Sequence, residues 1–311
     1  YEVIKNAYKE AENNAIIEIA RFLQTDMKYN KNLTTNSIKE CDIVWIIAPW
    51  TWRKIPKRYL KSKKVVCSIY HIDEKKFGSK EETEFYKRDK FVDEYHVISN
   101  TTKRQLLKIT NKNVTSIPFW INQNIWFNIE NENLRKEYNF KKDAFLVGSF
   151  QRDTEGSDLI SPKLSKGPDQ LLEIVAEMIK DKKNLEVVLT GKRRNYLINN
   201  FKQLGIPFHY FEMADFDVIN ALYNCLDLYI VSSRFEGGPQ SIIECGITKT
   251  PIISTRVGIA EEILPKESLF DMNNYKIAKP NIDYAFNKSI QYTIPQGFKE
   301  FQNLFSRLNE N

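Results

Sequence analysis

Cysteine, histidine and long apolar runs are scarce in this sequence, and each scarcity removes a class of protein. Only four cysteines occur (Cys41, Cys67, Cys225, Cys245), none in CxxC spacing and each in or beside an apolar segment. That excludes a disulfide scaffold and a thiolate zinc site, and leaves free buried thiols of a reducing compartment. The three histidines are isolated: His96 and His209 stand inside strand-like text with no Cys or His at ligand spacing, and no metal site is predicted. No apolar run approaches the roughly 20 residues that span a bilayer. The longest pieces, DIVWIIAPW and LDLYIVSS, have the length of strands. No signal peptide is read at the start, so a cytoplasmic location is expected. The chain starts at Tyr1 rather than Met, and its opening segment, residues 1–24, has helical periodicity, so an upstream segment including a first strand is expected to be missing.

What is present is a mixed α/β text. With 311 residues, 42% hydrophobic and 28% charged, two domains are the default. The net charge of +6 is uneven: residues 1–136 hold 25 Lys and Arg against 17 Asp and Glu, while the remainder holds 21 against 23. A basic first half fits nucleic acid, an anionic membrane surface or a phosphorylated ligand, and alone selects none of them. DIVWIIAPW, KVVCSIYHI, EYHVISN and VTSIPFWI read as buried parallel strands, with TTKRQLLKIT as a crossover helix. A polar, asparagine-rich stretch at 122–137 reads as the linker. Strands then resume (FLVGSF, LEVVLTG, PFHYFEM, LDLYIVSS, PIISTRV), alternating with the helices GPDQLLEIVAEMIKD, NYLINNFKQLG, DFDVINALYNC and PQSIIECGITK. Two successive βαβ domains follow, bounded at 1–125 and 126–285, with a last amphipathic helix in 286–311 that could pack back on the first domain.

Open parallel sheets bind ligands at the βα turns beyond the carboxyl ends of their strands. The turn after LDLYIVSS reads SSRFEGGPQSIIECG. Gly237 and Gly238 permit close approach to a ligand, Pro239 suits a first helical turn, and the N–H groups of Gln240 and Ser241 would point out of the helix end as an anion site. Glu236 stands at its mouth, and Glu244 lies two helical turns on. From the turn after FLVGSF, Arg152 and Lys166 bracket a loop that ends in Lys166-Gly167-Pro168, at the head of a helix. Either they hold a diphosphate and stabilise its departure, or they are solvated loop cations.

SSRFEGGPQSIIECGITKTPIISTRVGIAEEI resembles the signature of the retaining GT-B glycosyltransferases of family four, the glycosyl transferases group 1. The E-x7-E pattern matches Glu236 and Glu244, and Gly246, Pro251, Gly258 and Glu262 also fall in place. SKGPDQLLEIV is similar to that family's KG-helix, and IPFWINQNIWF to the stretch leading into its interdomain linker. The likeness is good over 140–265 and weak before 60. It implies a GT-B fold, two Rossmann-like βαβ domains facing each other across a cleft, and a nucleoside-diphosphate sugar as donor substrate with no cofactor and no metal. It implies that Glu244 holds the ribose, that Glu236 with Gly237, Gly238 and Pro239 meets the donor sugar, and that Lys166 and an Arg hold the diphosphate with Gln240 and Ser241. One departure stands out: the family's Arg precedes the Lys by about five residues, whereas Arg152 precedes Lys166 by fourteen. A strand-end His-Asp pattern in the family makes His71 a catalytic candidate reaching the donor sugar; by itself His71 is an ordinary strand-end histidine.

Two further signals compete with this reading. Asp215-Phe216-Asp217 spells a metal-binding D-x-D, but it opens a helix rather than ending a strand, which favours capping. PWTWRKIPKRYLKSKK carries seven cations between Arg53 and Lys64, interleaved with Trp50, Trp52 and Tyr59. No nucleic-acid-binding motif accompanies it; a solvated loop and a peripheral contact of residues 50–64 with an anionic membrane both remain open. The expected activity is transfer of a sugar to a glycan, lipid-linked or other saccharide acceptor, as in polysaccharide biosynthesis. A GT-B epimerase and a catalytically silent sugar-nucleotide or polyanion binder are the alternatives.

Overall fold

The computed structural model describes residues 37–72, 77–78 and 80–310, and the helical periodicity read at 1–24 lies outside them. The chain divides into two compact units: residues up to Phe119 together with those from Pro295 onward, and Trp120–Ile294. The sequence-based boundaries at 125/126 and 285/286 fall at 119/120 and 294/295 in the fold, and the packing shows why. Ile121 pairs with Thr293 in a parallel bridge, and Trp126 is buried in the core of the second unit. The stretch read as a linker is therefore largely part of that unit.

In the first unit, four parallel strands lie in the order β1-β2-β3-β4: β1 (Ile43–Ile46), β2 (Lys64–Ile69), β3 (Glu94–Val97) and β4 (Asn113–Ser116). Between them run α1 (Lys57–Ser62), α2 (Lys80–Asp89) and α3 (Asn100–Leu106). Ser99 caps α3 through a bond from the Thr102 N–H. The stretch at 50–64 is a 3-10 turn (Pro49–Lys54) followed by α1, so it is more ordered than the loop expected. Trp52 is buried in the core, and Arg53 pairs with Glu84 through two bonds of 2.9 and 2.7 Å. Trp50, Lys57 and Arg58 stay exposed.

The second unit opens with α4 (Leu134–Glu137) and β5 (Phe145–Ser149). Then come α5 (Pro168–Asp181), β6 (Leu185–Thr190), α6 (Asn195–Leu204), β7 (Phe208–Phe211), α7 (Phe216–Cys225) and β8 (Leu228–Val231). It closes with α8 (Gln240–Thr248), β9 (Ile252–Thr255), α9 (Ala260–Ile263), β10 (Leu269–Phe270) and α10 (Ile282–Ser289). The final helix, α11 (Gln296–Glu310), returns to the first unit. The six strands are parallel in the order β10-β9-β8-β5-β6-β7, the doubly wound arrangement whose direction of winding reverses between β5 and β8. Alternate residues feed opposite faces: Leu228 and Ile230 enter one core cluster, Tyr229 and Val231 the other. Both faces are covered by helices, which is why the strands read as unbroken apolar runs. In α5, buried Leu171, Ile174 and Val175 repeat at helical spacing.

Candidate functional site

The turns after β5 and β8 flank the point where the winding reverses, and most of the sequence-predicted residues are on them. After β8, Ser232 and Ser233 are fully buried, and the chain turns back so that the N–H groups of Arg234 and Phe235 donate to the Ser165 carbonyl at 2.9 and 3.1 Å. This lays the Glu236 turn against Lys166. The Lys166 ammonium donates to Glu236 Oε1 in a partly buried ion pair. Gln151 binds both sides: its Nε2 donates to the Lys166 carbonyl at 2.8 Å, and its Oε1 accepts from the Ser233 hydroxyl at 3.0 Å.

Gly167 makes the approach possible. Its φ is +60°, and a Cβ built there would overlap the carbonyl oxygen of Ser232. The Ser232 hydroxyl donates to the Gly167 carbonyl at 2.9 Å, and Gln170 donates to the Ser232 carbonyl at 2.9 Å. The Lys-Gly turn and the start of α5 are thereby riveted to the end of β8. On the opposite side Gly258, with φ +52°, lies so close that a Cβ on it would overlap the Gly237 carbonyl oxygen. Arg234, paired with Asp169 at 2.6 to 2.7 Å, closes the outer rim.

Pro239 is the residue before α8 rather than its first member, and no side chain caps that helix end. Gln240 Nε2 is buried there without a hydrogen-bond partner. Glu244 has a buried holder: the Tyr223 hydroxyl donates to its Oε2 at 2.7 Å. Burial and the adjacent Glu244 carboxylate push Tyr223 well above the usual tyrosine value, so it remains a donor. His71 lies two residues beyond β2, exposed, in the first unit.

The fourteen-residue gap between Arg152 and Lys166 has a structural explanation. Residues 154–162 form an excursion closed at its base: Thr154 and Pro162 form an antiparallel bridge, the Glu155 N–H donates to the Ser161 carbonyl at 2.9 Å, and the Lys163 N–H donates to the Asp153 carbonyl at 2.7 Å. Omitting those nine residues shortens the separation from fourteen to five, the spacing of the family pattern. Arg152 is half-buried, its Nε donating to the Thr154 carbonyl at 2.7 Å. Burial, then the neighbouring Arg193, lower its pKa.

Two groups were not singled out from the sequence. Arg194, inside what looks like a surface run KRR, is fully buried. It pairs with buried Asp153 at 2.7 Å and donates to the carbonyls of Ser149 and Thr190 at 2.7 and 2.9 Å, tying the ends of β5 and β6 to the base of the excursion. Lys163 sits at that base, and burial, then Lys166 and Arg152, lower the pKa of its ammonium. The signal that could have found it is K-x-x-K immediately before the helix-opening glycine. Asp215 does precede α7, but its side chain makes no capping bond; only its carbonyl accepts, from Ile219 N–H at 2.9 Å. Among the described residues no three His, Cys, Asp or Glu gather as a metal site, and no helix is long and apolar enough to cross a membrane. His209 belongs to a cluster at the far end of the sheet, 2.6 Å from Glu186, which also pairs with Lys141.

Comparison with known proteins agrees with this architecture. Residues 160–296 match the model of the family described as glycosyl transferases group 1. No curated protein matches the sequence. Among solved structures, sucrose-phosphate synthase from Thermosynechococcus elongatus aligns with a TM-score of 0.69 at 14% identity, over 92% of this chain and 77% of that one. HepE of Anabaena, solved in complex with UDP and glucose, aligns with a TM-score of 0.70 at 14% identity, over 94% and 83%. A glycosyltransferase from Rickettsia africae gives 0.64 at 18% identity, over 97% and 84%. The GT-B fold expected from the sequence is thus borne out.

Proposed function

We propose that the chain is a retaining hexosyltransferase that uses a nucleoside-diphosphate sugar, needs no metal, and delivers the sugar to a saccharide or lipid-linked acceptor. The observation that carries this reading is the Lys166–Glu236 pair, held where the winding of the sheet reverses, beside the start of α8. The family match over 160–296 and the UDP and UDP-glucose complexes of HepE support it.

The roles follow from charge. Departure of the nucleoside diphosphate builds negative charge, which Lys166, Arg152 and the helix N-terminus stabilise in a site already organised before the reaction. Glu236 faces the positive character that grows at the sugar carbon, with Gly237, Gly238 and Pro239 shaping that part of the pocket. Glu244, aimed by Tyr223, binds the ribose hydroxyls, and the N–H groups of Gln240 and Ser241 meet the phosphate. The acceptor attacks on the face from which the diphosphate leaves, its proton taken up by the departing phosphate. Peripheral membrane contact through 50–64 is part of the proposal without Trp52, which packs in the core, and Arg53, which answers Glu84; Trp50, Lys54, Lys57, Arg58 and Lys61 are exposed.

Thermal shift against UDP, GDP, ADP and their sugars identifies the base, because a ligand at 100 times its Kd adds roughly 2.7 kcal/mol of apparent stability. Release of nucleoside diphosphate is then measured with donor and acceptor together and separately. Release that requires both supports a transferase; donor binding without release under any acceptor makes the chain a silent binder. Lys166→Ala is expected to lower kcat/KM by roughly 10²- to 10³-fold.

A further inference from the structure

The base of the 154–162 excursion places a third cation beside the two that the reading above uses. Asp153 and Lys163 are joined by the 2.7 Å bond from the Lys163 N–H, and the strand pairing continues through the Thr154–Pro162 bridge. Nothing about this junction resembles a loose loop. The Asp153 carboxylate is held by buried Arg194 at 2.7 Å and by the Thr154 hydroxyl at 2.6 Å. The N–H of Thr154 donates to the Arg193 carbonyl at 3.1 Å, and the Thr154 hydroxyl accepts from the Tyr196 N–H at 2.9 Å. Three residues further along, Lys166 pairs with Glu236.

We propose that Lys163 is a diphosphate-binding residue, a third cation held ready for the terminal phosphate of the donor by the closed base of the excursion. The inference rests on the reading of this site as the donor site. Three features support it. Lys163 is half-buried, so its ammonium has lost water that an anion would replace. The charges it faces are Lys166 on the Lys-Gly turn, Arg152 and Glu155 at the excursion base, and Glu236 on the turn after β8. Burial first, and then the like charges of Lys166 and Arg152, hold its pKa below the usual lysine value. Clustered, partly desolvated cations repel one another, and a dianionic phosphate reverses that repulsion. The Lys166 N–H donates to the Lys163 carbonyl at 2.8 Å, so one tight turn holds Lys163 close along the chain to the cation that pairs with Glu236, the proposed neighbour of the donor sugar.

The test is binding of UDP and UMP to the whole chain, with GDP/GMP and ADP/AMP in parallel, by titration calorimetry on wild type, Lys163→Gln, Lys163→Arg and Lys166→Gln. Lys163→Gln is expected to weaken the diphosphate by roughly 10- to 100-fold and the monophosphate much less, with Lys163→Arg restoring most of the affinity. Its empty form is expected to melt no lower than wild type, because a mutually repelling charge has gone; a merely structural lysine would lower the melting temperature instead. Diphosphate affinity within twofold of wild type in Lys163→Gln, while Lys166→Gln loses it, overturns the inference and leaves the donor site standing. Wild type that binds none of these nucleotides overturns the donor-site reading and the inference with it.

Discussion

Acidification should weaken the first unit through one histidine. His96 on β3 is fully buried, and its ring nitrogens are both engaged: Nε2 lies 2.7 Å from the Ile117 carbonyl and Nδ1 2.8 Å from the Ser68 hydroxyl. A carbonyl only accepts, so Nε2 carries the proton and Nδ1 accepts from Ser68, whose oxygen in turn receives the Trp45 indole N–H at 2.9 Å. Trp45, Phe119 and Phe301 surround the ring. Burial therefore lowers its pKa from 6.5 to about 4. Above 6.5 the folded and unfolded chains both hold it neutral, and pH has no leverage through it. Below that value the unfolded chain binds a proton that the folded chain excludes, so stability falls as pH falls. The loss reaches about 2 kcal/mol near pH 5 and about 3 kcal/mol near pH 4, where the folded ring begins to accept a proton. Urea unfolding at several pH values, compared between wild type and His96→Gln, isolates the effect: glutamine can keep both hydrogen-bond partners and does not titrate, while the carboxylates contribute alike to both proteins. A His96 ring resonance that titrates near 6.5 in the folded protein, or equal pH dependence of the two proteins, would refute the reasoning.

The donor-site unit yields three more expectations. Gly167→Ala should lower stability by more than the roughly 1 to 2 kcal/mol of a left-handed alanine, since its Cβ also overlaps the Ser232 carbonyl, and should weaken nucleotide binding with it; urea unfolding and calorimetry read both. Tyr223→Phe frees one oxygen of Glu244 and should raise the KM for donor about 10-fold with kcat little changed, an effect that should vanish for a donor lacking the ribose hydroxyls. Asp153→Asn leaves the Arg194 charge buried without its counter-ion and should destabilise by about 3 to 5 kcal/mol, measured by urea unfolding, whereas exchanging exposed pairs such as Lys180–Glu177 should change little.

The nine parallel strands read from apolar runs are present, because a strand covered on both faces carries its own signature in every residue. Helices with a clean stripe, such as α5 with Leu171, Ile174 and Val175, were equally plain. Two-residue β10 and the short α1 carry too few residues for any period to show, and α1 sits in text dominated by charge. The site divides along a similar line. Glu236, Gly237, Gly238 and Glu244 lie on one local turn and helix, where spacing along the chain is spacing in the molecule. Arg152 and Lys166 are related instead through a pairing between Thr154 and Pro162, so counting residues overstated their separation. Lys163 and Arg194 depend on the same closure: their burial comes from what folds over them, and neither composition nor period records that.

The last helix carries a cost in time. Phe301 of α11 is fully buried and packs against Trp45, His96 and Phe119, residues that a ribosome would make roughly 180 or more positions earlier. At 5 to 20 residues per second, on the order of ten seconds or more separate the two sides of that contact. The second unit, Trp120–Ile294, is complete in sequence before α11 exists, so it can finish folding while the first unit still shows an aromatic face with nothing against it. A newborn chain of this design is expected to lean on chaperones during that interval, and chains halted before Pro295 to be the ones that clump.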